Sequence, residues 1–145
     1  MELIRIALTQ YGVHEKIEHD NHPQITKYFA ELGYDISKLE KETPWSSSFV
    51  NWVAKTAGYE YSGKLKARSW LTMGESTENP TWGNIAILWE DSLESSKGYV
   101  GFFVKETKRY VYLLGGDQRN RVCIKAYLKN KVLDFRKLRQ VANQE

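Results

Sequence analysis

The hydrophobic period of this chain changes once, near Gly83, and that change limits the folds open to it. Before it, apolar residues recur at helical spacing, and each stripe ends at a glycine able to take the left-handed conformation of a helix C-terminus. The stripes are Leu3, Ile4, Ala7 and Tyr11 before Gly12; Ile25, Tyr28, Phe29 and Leu32 before Gly33; Phe49, Val50, Trp52, Val53 and Ala57 before Gly58; and Leu65, Trp70 and Leu71 before Gly74. Pro23 suits a first helical turn, with Asn21 or His22 as its cap. After Gly83, residues 84–90, 98–105, 109–116, 121–128 and 131–137 are short, rich in β-branched and aromatic side chains, and bounded by turn residues. Four helices followed by five strands predict an α+β fold rather than alternating βαβ units. Residues 85–88 are all apolar, as a strand covered on both faces requires, and the third helix has the wide apolar face to cover it. Residues 104–112 read as a tight antiparallel hairpin.

A chain of 145 residues can bury one core, so a single domain over residues 1–138 with a short tail over 139–145 is expected. The net charge of +3 arises from charges of both signs, with a basic bias at 105–109, 119–121 and 125–139 that reads as a solvated face. No glycine-rich phosphate loop, zinc-type Cys/His spacing or nucleic-acid motif accompanies it, so no cofactor, metal or nucleic-acid partner is expected. The single cysteine, Cys123, rules out an intrachain disulfide and is expected to be a buried strand thiol. The first twelve residues lack the pattern of a secretory signal, and no apolar run reaches membrane-spanning length. The expectation is a protein made without a signal peptide and not inserted in a membrane. It would stay in the cytoplasm or leave by phage lysis or a dedicated secretion apparatus.

The segment 42–61, "ETPWSSSFVNWVAKTAGYEY", places a serine triplet at the start of the third helix. Together with "HPQITKYF", "ARSWL", "WGNIAILW", "GYVGFFV", "YLLGGDQRN" and "KVLDFRK", it resembles the NlpC and CHAP families of small papain-like cysteine hydrolases that act on peptidoglycan. The resemblance spans nearly the whole chain and implies a papain-like α+β fold, with N-terminal helices packed on a five-stranded antiparallel sheet. In those families the helix motif is Pro-Trp-Cys-Ser, with the thiolate favoured at a helix N-terminus, and a later Gly-His-Val-Gly strand supplies the imidazole base. Carried over by position, the nucleophile falls on Ser46, the base on Tyr99 and the group that orients the base on Asp117.

Two of these three are wrong for the reaction. A serine hydroxyl needs an efficient base, and a tyrosine near its ordinary pKa is ionised in roughly one molecule in a thousand at neutral pH. A trapping Cys-to-Ser change would explain Ser46 but not Tyr99. The resemblance therefore implies a pseudoenzyme: a degenerate amidase or endopeptidase domain that binds peptidoglycan, a muropeptide or a protein partner. Two other readings are compatible with the same residues. One is an active N-acetylmuramoyl-L-alanine amidase or muropeptide peptidase, seen as a Cys-to-Ser variant or using Ser46, with Lys97 or Lys105 as a conceivable base. The other is an interaction protein of a phage particle or secretion apparatus.

The residues themselves carry plainer expectations. Ser46 can cap the third helix, and Tyr99 can pack over the site and hydrogen-bond through its hydroxyl. Trp52, Trp70 and Trp89 are expected in the core, whereas Trp45 and Trp82, at element boundaries, are candidates for ligand contact. Arg68 could meet a peptide carboxylate, and Gln118, Asn120 and His22 complete the candidate binding residues.

Overall fold

The structure, a computed structural model, describes residues 2–15, 23–40 and 43–141. Its α-helices are α1 (Glu2–Thr9), α2 (Pro23–Ala30) and α3 (Ser46–Ala57), and its strands are β1 (Glu75–Ser76), β2 (Ile85–Trp89), β3 (Gly98–Glu106), β4 (Tyr110–Gln118), β5 (Arg121–Leu128) and β6 (Val132–Lys137). Every strand pairing is antiparallel, in the order β1-β6-β2-β3-β4-β5. The fold is α+β with one antiparallel sheet, and none of the described helices is long and apolar enough to cross a membrane.

The sheet has six strands where five were expected. The extra one, β1, pairs Glu75 with Lys137 and Ser76 with Arg136; two exposed residues leave no periodic signal. The expected fourth helix is a 3₁₀ segment, Ala67–Thr72, whose buried residues Ala67 and Trp70 are three apart, the repeat of that tighter helix. Cys123 is only partly buried, because it lies on the outermost strand. The segment 104–112 does form the β3–β4 hairpin, closed by the Thr107 amide donating to the Tyr110 carbonyl at 2.8 Å.

Alternation along the strands separates two cores. Ile85, Ile87, Val100, Phe102 and Leu114 face the helices and join Phe49, Val50, Val53 and Ala54 of α3. Ala86, Leu88, Tyr99, Phe103, Val111 and Leu113 form the second cluster, flanked by Tyr127, Val132 and Phe135. Thus β2 is buried on both sides, as its unbroken apolar run requires. Each fully buried Val, Leu, Ile or Phe contributes about 2 kcal/mol of transfer free energy, so the face of α3 is a main attachment of helix to sheet. Gly58 stops α3 in the left-handed region at φ 80°, its amide reaching the Lys55 carbonyl at 3.2 Å. Residues 139–141 are tied to that turn: the Arg139 amide donates to Glu60 at 2.8 Å and the Val141 amide to the Gly58 carbonyl at 2.8 Å.

Candidate functional site

A cavity of about 470 Å³ opens where the start of α3 meets the facing ends of β3 and β4, and Ser46, Tyr99 and Asp117 all line it. Thr43, Pro44, Ala67, Gly98 and the charged Lys66, Glu90 and Lys97 complete much of its wall. A second depression of about 540 Å³, bearing Tyr34, Lys64 and Arg68, shares Leu65, Lys66 and Ser96 with it, so the opening continues as a groove.

Ser46 is the first residue of α3, not its cap. The cap position belongs to Trp45, whose side chain makes no capping bond; instead the Trp45 amide donates to Asp117 Oδ2 at 3.1 Å, so a strand carboxylate braces the helix start. Ser46 is 4 % exposed, and its hydroxyl has no hydrogen-bond partner among the described residues. Its two neighbours are committed. Ser47 Oγ donates to the Lys64 carbonyl at 2.6 Å and accepts from Trp70 Nε1 at 2.9 Å, and Ser48 Oγ donates to the Trp45 carbonyl at 3.1 Å. Of the triplet, only Ser46 keeps a hydroxyl for the cavity.

Tyr99 cannot serve as a proton carrier. Its ring stacks on Tyr127 with centroids 5.3 Å apart, and its hydroxyl donates to the Gly116 carbonyl at 2.8 Å. Burial, reinforced by Tyr127, pushes its pKa well above the usual phenol value. The neutral phenol is therefore the only form present near pH 7, and its one proton is held by a backbone oxygen.

Asp117 sits at φ 58°, a left-handed conformation that short polar side chains tolerate. Burial raises its carboxyl to about 6; the Trp45 amide opposes this and the charges of Glu15 and Glu90 add to it. A carboxyl raised above its unfolded value binds a proton more readily when folded. It contributes stability that is fully present below about pH 4 and lost as pH rises through about 6. The midpoint of urea unfolding is thus expected to fall between pH 4 and pH 7 in the wild type. Asp117→Asn, which keeps an acceptor for Trp45, should flatten that fall and unfold later at pH 7; parallel profiles for the two chains would contradict the assignment.

The other expected binding residues lie elsewhere. The Trp45 indole is 1 % exposed, stacked on Tyr28 at 6.1 Å and bonded through Nε1 to Glu15, so it belongs to the core and not to the cavity. Trp82 is 53 % exposed but precedes β2, whereas the cavity wall is formed by Glu90 beyond the far end of that strand. At about 3.3 Å per residue the two ends are more than 15 Å apart. Gln118 is buried and saturated: Nε2 donates to the carbonyls of Leu113 and Cys123, and Oε1 accepts from Tyr127. Asn120 occupies a left-handed position in the exposed β4–β5 turn, where its carbonyl accepts from the Glu15 amide. His22 lies outside the described residues. Trp70 is fully buried, while Trp52 and Trp89 are partly so, donating to Glu31 and to the Asn130 carbonyl.

Arg68 does lie beside the site, but its guanidinium is occupied. It donates to the carbonyls of Lys97, Leu93 and Ser92 at 2.9, 2.7 and 3.0 Å, and so holds the segment that forms one rim. Gly98 permits this closeness, since a Cβ there would stand 2.7 Å from the Leu88 carbonyl and 3.3 Å from Arg68 Cγ. Lys66 and Glu90 were not singled out from the sequence, where each is one charge among many, whereas Lys97, the base conceivable from the sequence, does line the cavity with Ser46; only the fold brings the three together. Among the described residues no group of three His, Cys, Asp or Glu side chains is arranged to hold a metal. Comparison of the sequence with protein-family models and with curated proteins gave no match.

Proposed function

We propose that this protein is a catalytically silent relative of the NlpC and CHAP peptidoglycan hydrolases, papain-like in fold, whose cleft binds cell-wall peptide without cutting it. One observation carries the reading. The positions that the resemblance assigns to nucleophile, base and orienting group line a single open cavity, yet the proton-transfer position holds a phenol already bonded to the Gly116 carbonyl. Acyl transfer to Ser46 needs a group that removes the hydroxyl proton during attack and returns it to the leaving amine. Tyr99 does neither. Asp117 is engaged through Oδ2 with the Trp45 amide, none of the described cavity residues is a histidine, and the ammonium of Lys97 is directed to Asp91 at 3.5 Å on the exposed rim. Space remains for a ligand, and Glu90 with Lys66 and Lys97 offers both signs of charge, which suits a peptide bearing amine and carboxylate groups.

The test is co-sedimentation with purified insoluble peptidoglycan, together with chromatography of the soluble fraction. Retention without released muropeptides is expected, and Ser46→Trp, which fills the cavity, should abolish retention. Release of muropeptides by the wild-type chain would refute the silent assignment. Failure to co-sediment would refute the wall ligand. The double variant Ser46→Cys/Tyr99→His is expected to release muropeptides where either single change does not.

A further inference from the structure

The outer edge of the sheet has an unfinished strand pairing. At Val122 the segment after α1 already behaves as a partner: the Val122 amide donates to the Val13 carbonyl at 2.8 Å and the Gly12 amide to the Val122 carbonyl at 2.9 Å, with His14 bridged to Arg121. The backbone of Val122 therefore points outward from β4. The Lys129 amide, by contrast, points inward to the Arg109 carbonyl at 2.8 Å. Strand alternation between those two points directs the backbone groups of Ile124, Ala126 and Leu128 outward. Among the described residues, none outside β4 bonds to the backbone of residues 124–128.

The side chains of the same three residues share one face. Ile124 opposes Leu114, Ala126 opposes Tyr112 and Leu128 opposes Tyr110, and Leu114 belongs to the core under α3. Beyond the reach of the helix that face stays open: Ile124 is 40 % exposed, Leu128 44 % and Tyr110 41 %. The surroundings are basic. Residues 105–131 contain eight Lys or Arg and two acidic residues, a net +6 in a chain whose total is +3. Of the two acids, Glu106 is paired with Lys129, and Asp117 lies at the cavity.

From this geometry we infer that β5 receives an extended acidic segment of a partner protein as a seventh strand, its apolar residues laid on Ile124, Leu128 and Tyr110. Such strand addition takes its affinity from main-chain hydrogen bonds and its selectivity from alternate side chains. Charge selects against a second copy of this chain, because two such edges would bring like charges together. The surface is separate from the cavity and does not depend on the wall-binding reading.

The probe is a synthetic end-blocked peptide alternating valine with glutamate, compared with its valine–lysine counterpart, against the full ¹⁵N-labelled chain. The glutamate peptide should shift the amide signals of Ile124, Ala126 and Leu128 and slow their exchange with solvent. The lysine peptide should bind about tenfold more weakly or worse. Ala126→Pro removes an outward amide without touching the β4 ladder and should abolish binding while leaving the fold intact. Should that variant not fold, Lys105→Glu/Arg109→Glu, which lowers the net charge of residues 105–131 from +6 to +2, decides instead, with the advantage of the glutamate peptide expected to shrink. Equal binding of both peptides, no shift at the three amides, undiminished binding to folded Ala126→Pro, or self-association of the chain through those amides would each overturn the proposal.

Discussion

Asn51→Leu is expected to lower the melting temperature by about 5 °C or more, although leucine fits a helix and nearly matches asparagine in size. Asn51 is completely buried in α3 and acts as a junction for the loop that follows the helix. Its Oδ1 accepts from the Gly63 amide at 2.7 Å, and its Nδ2 donates to the carbonyls of Lys64 at 3.1 Å and Ser47 at 3.0 Å. Leucine would leave the Gly63 amide without a partner and without water, at about 1–3 kcal/mol, and the Lys64 carbonyl with the Ser47 hydroxyl alone. The same loop carries Leu65 and Lys66 into the cavity wall, so the change should also loosen the groove. Calorimetry measures the first effect; a drop under about 2 °C would show that water reaches the loop groups and that Asn51 is not their organiser.

Gly115→Ala should cost about 3 kcal/mol, near the upper end of what overpacking by one methyl group brings. A Cβ on Gly115 would stand 2.2 Å from the Tyr99 hydroxyl and 3.2 Å from Cζ. The ring has little room to withdraw, because it is stacked on Tyr127 and its Cε2 lies 3.3 Å from where a Cβ on Gly101 would be. Adding Tyr99→Phe removes the nearest atom. The double variant should therefore recover part of the loss, giving a coupling above about 1 kcal/mol in urea titrations. Additive effects would mean that the alanine is accommodated by the backbone and not resisted by the ring.

The helix-to-strand change of period carried most of the architecture, because the glycine stops and the doubly buried β2 depend on local chemistry alone. The strand β1 could not be read, since two exposed residues have no period and owe their conformation to β6. The site was legible as positions and not as orientations. Trp45 and Ser46 are neighbours in sequence, but at a helix start successive side chains diverge: the indole enters the core and the hydroxyl meets the cavity. Gln118 looks like a turn residue beside a glycine pair. The pairing of β4 with β5 shifts between Gly115 and Gln118, and the left-handed Asp117 accompanies a Gln118 amide turned inward onto Leu113 and Cys123. Arg68 lies beside the cavity with its guanidinium bonded to carbonyls some 25 residues away, which no local pattern announces.

The bond from the Trp45 amide to Asp117 spans 72 residues of sequence. On a translating ribosome, α3 is therefore made long before the carboxylate that braces it and the strands that cover Phe49 and Val53. A nascent chain halted before β4 would hold its helical half exposed and unable to lock, a form that chaperones bind and proteases degrade. Completion of the β3–β4 hairpin is then the earliest moment at which this polypeptide can shut against solvent.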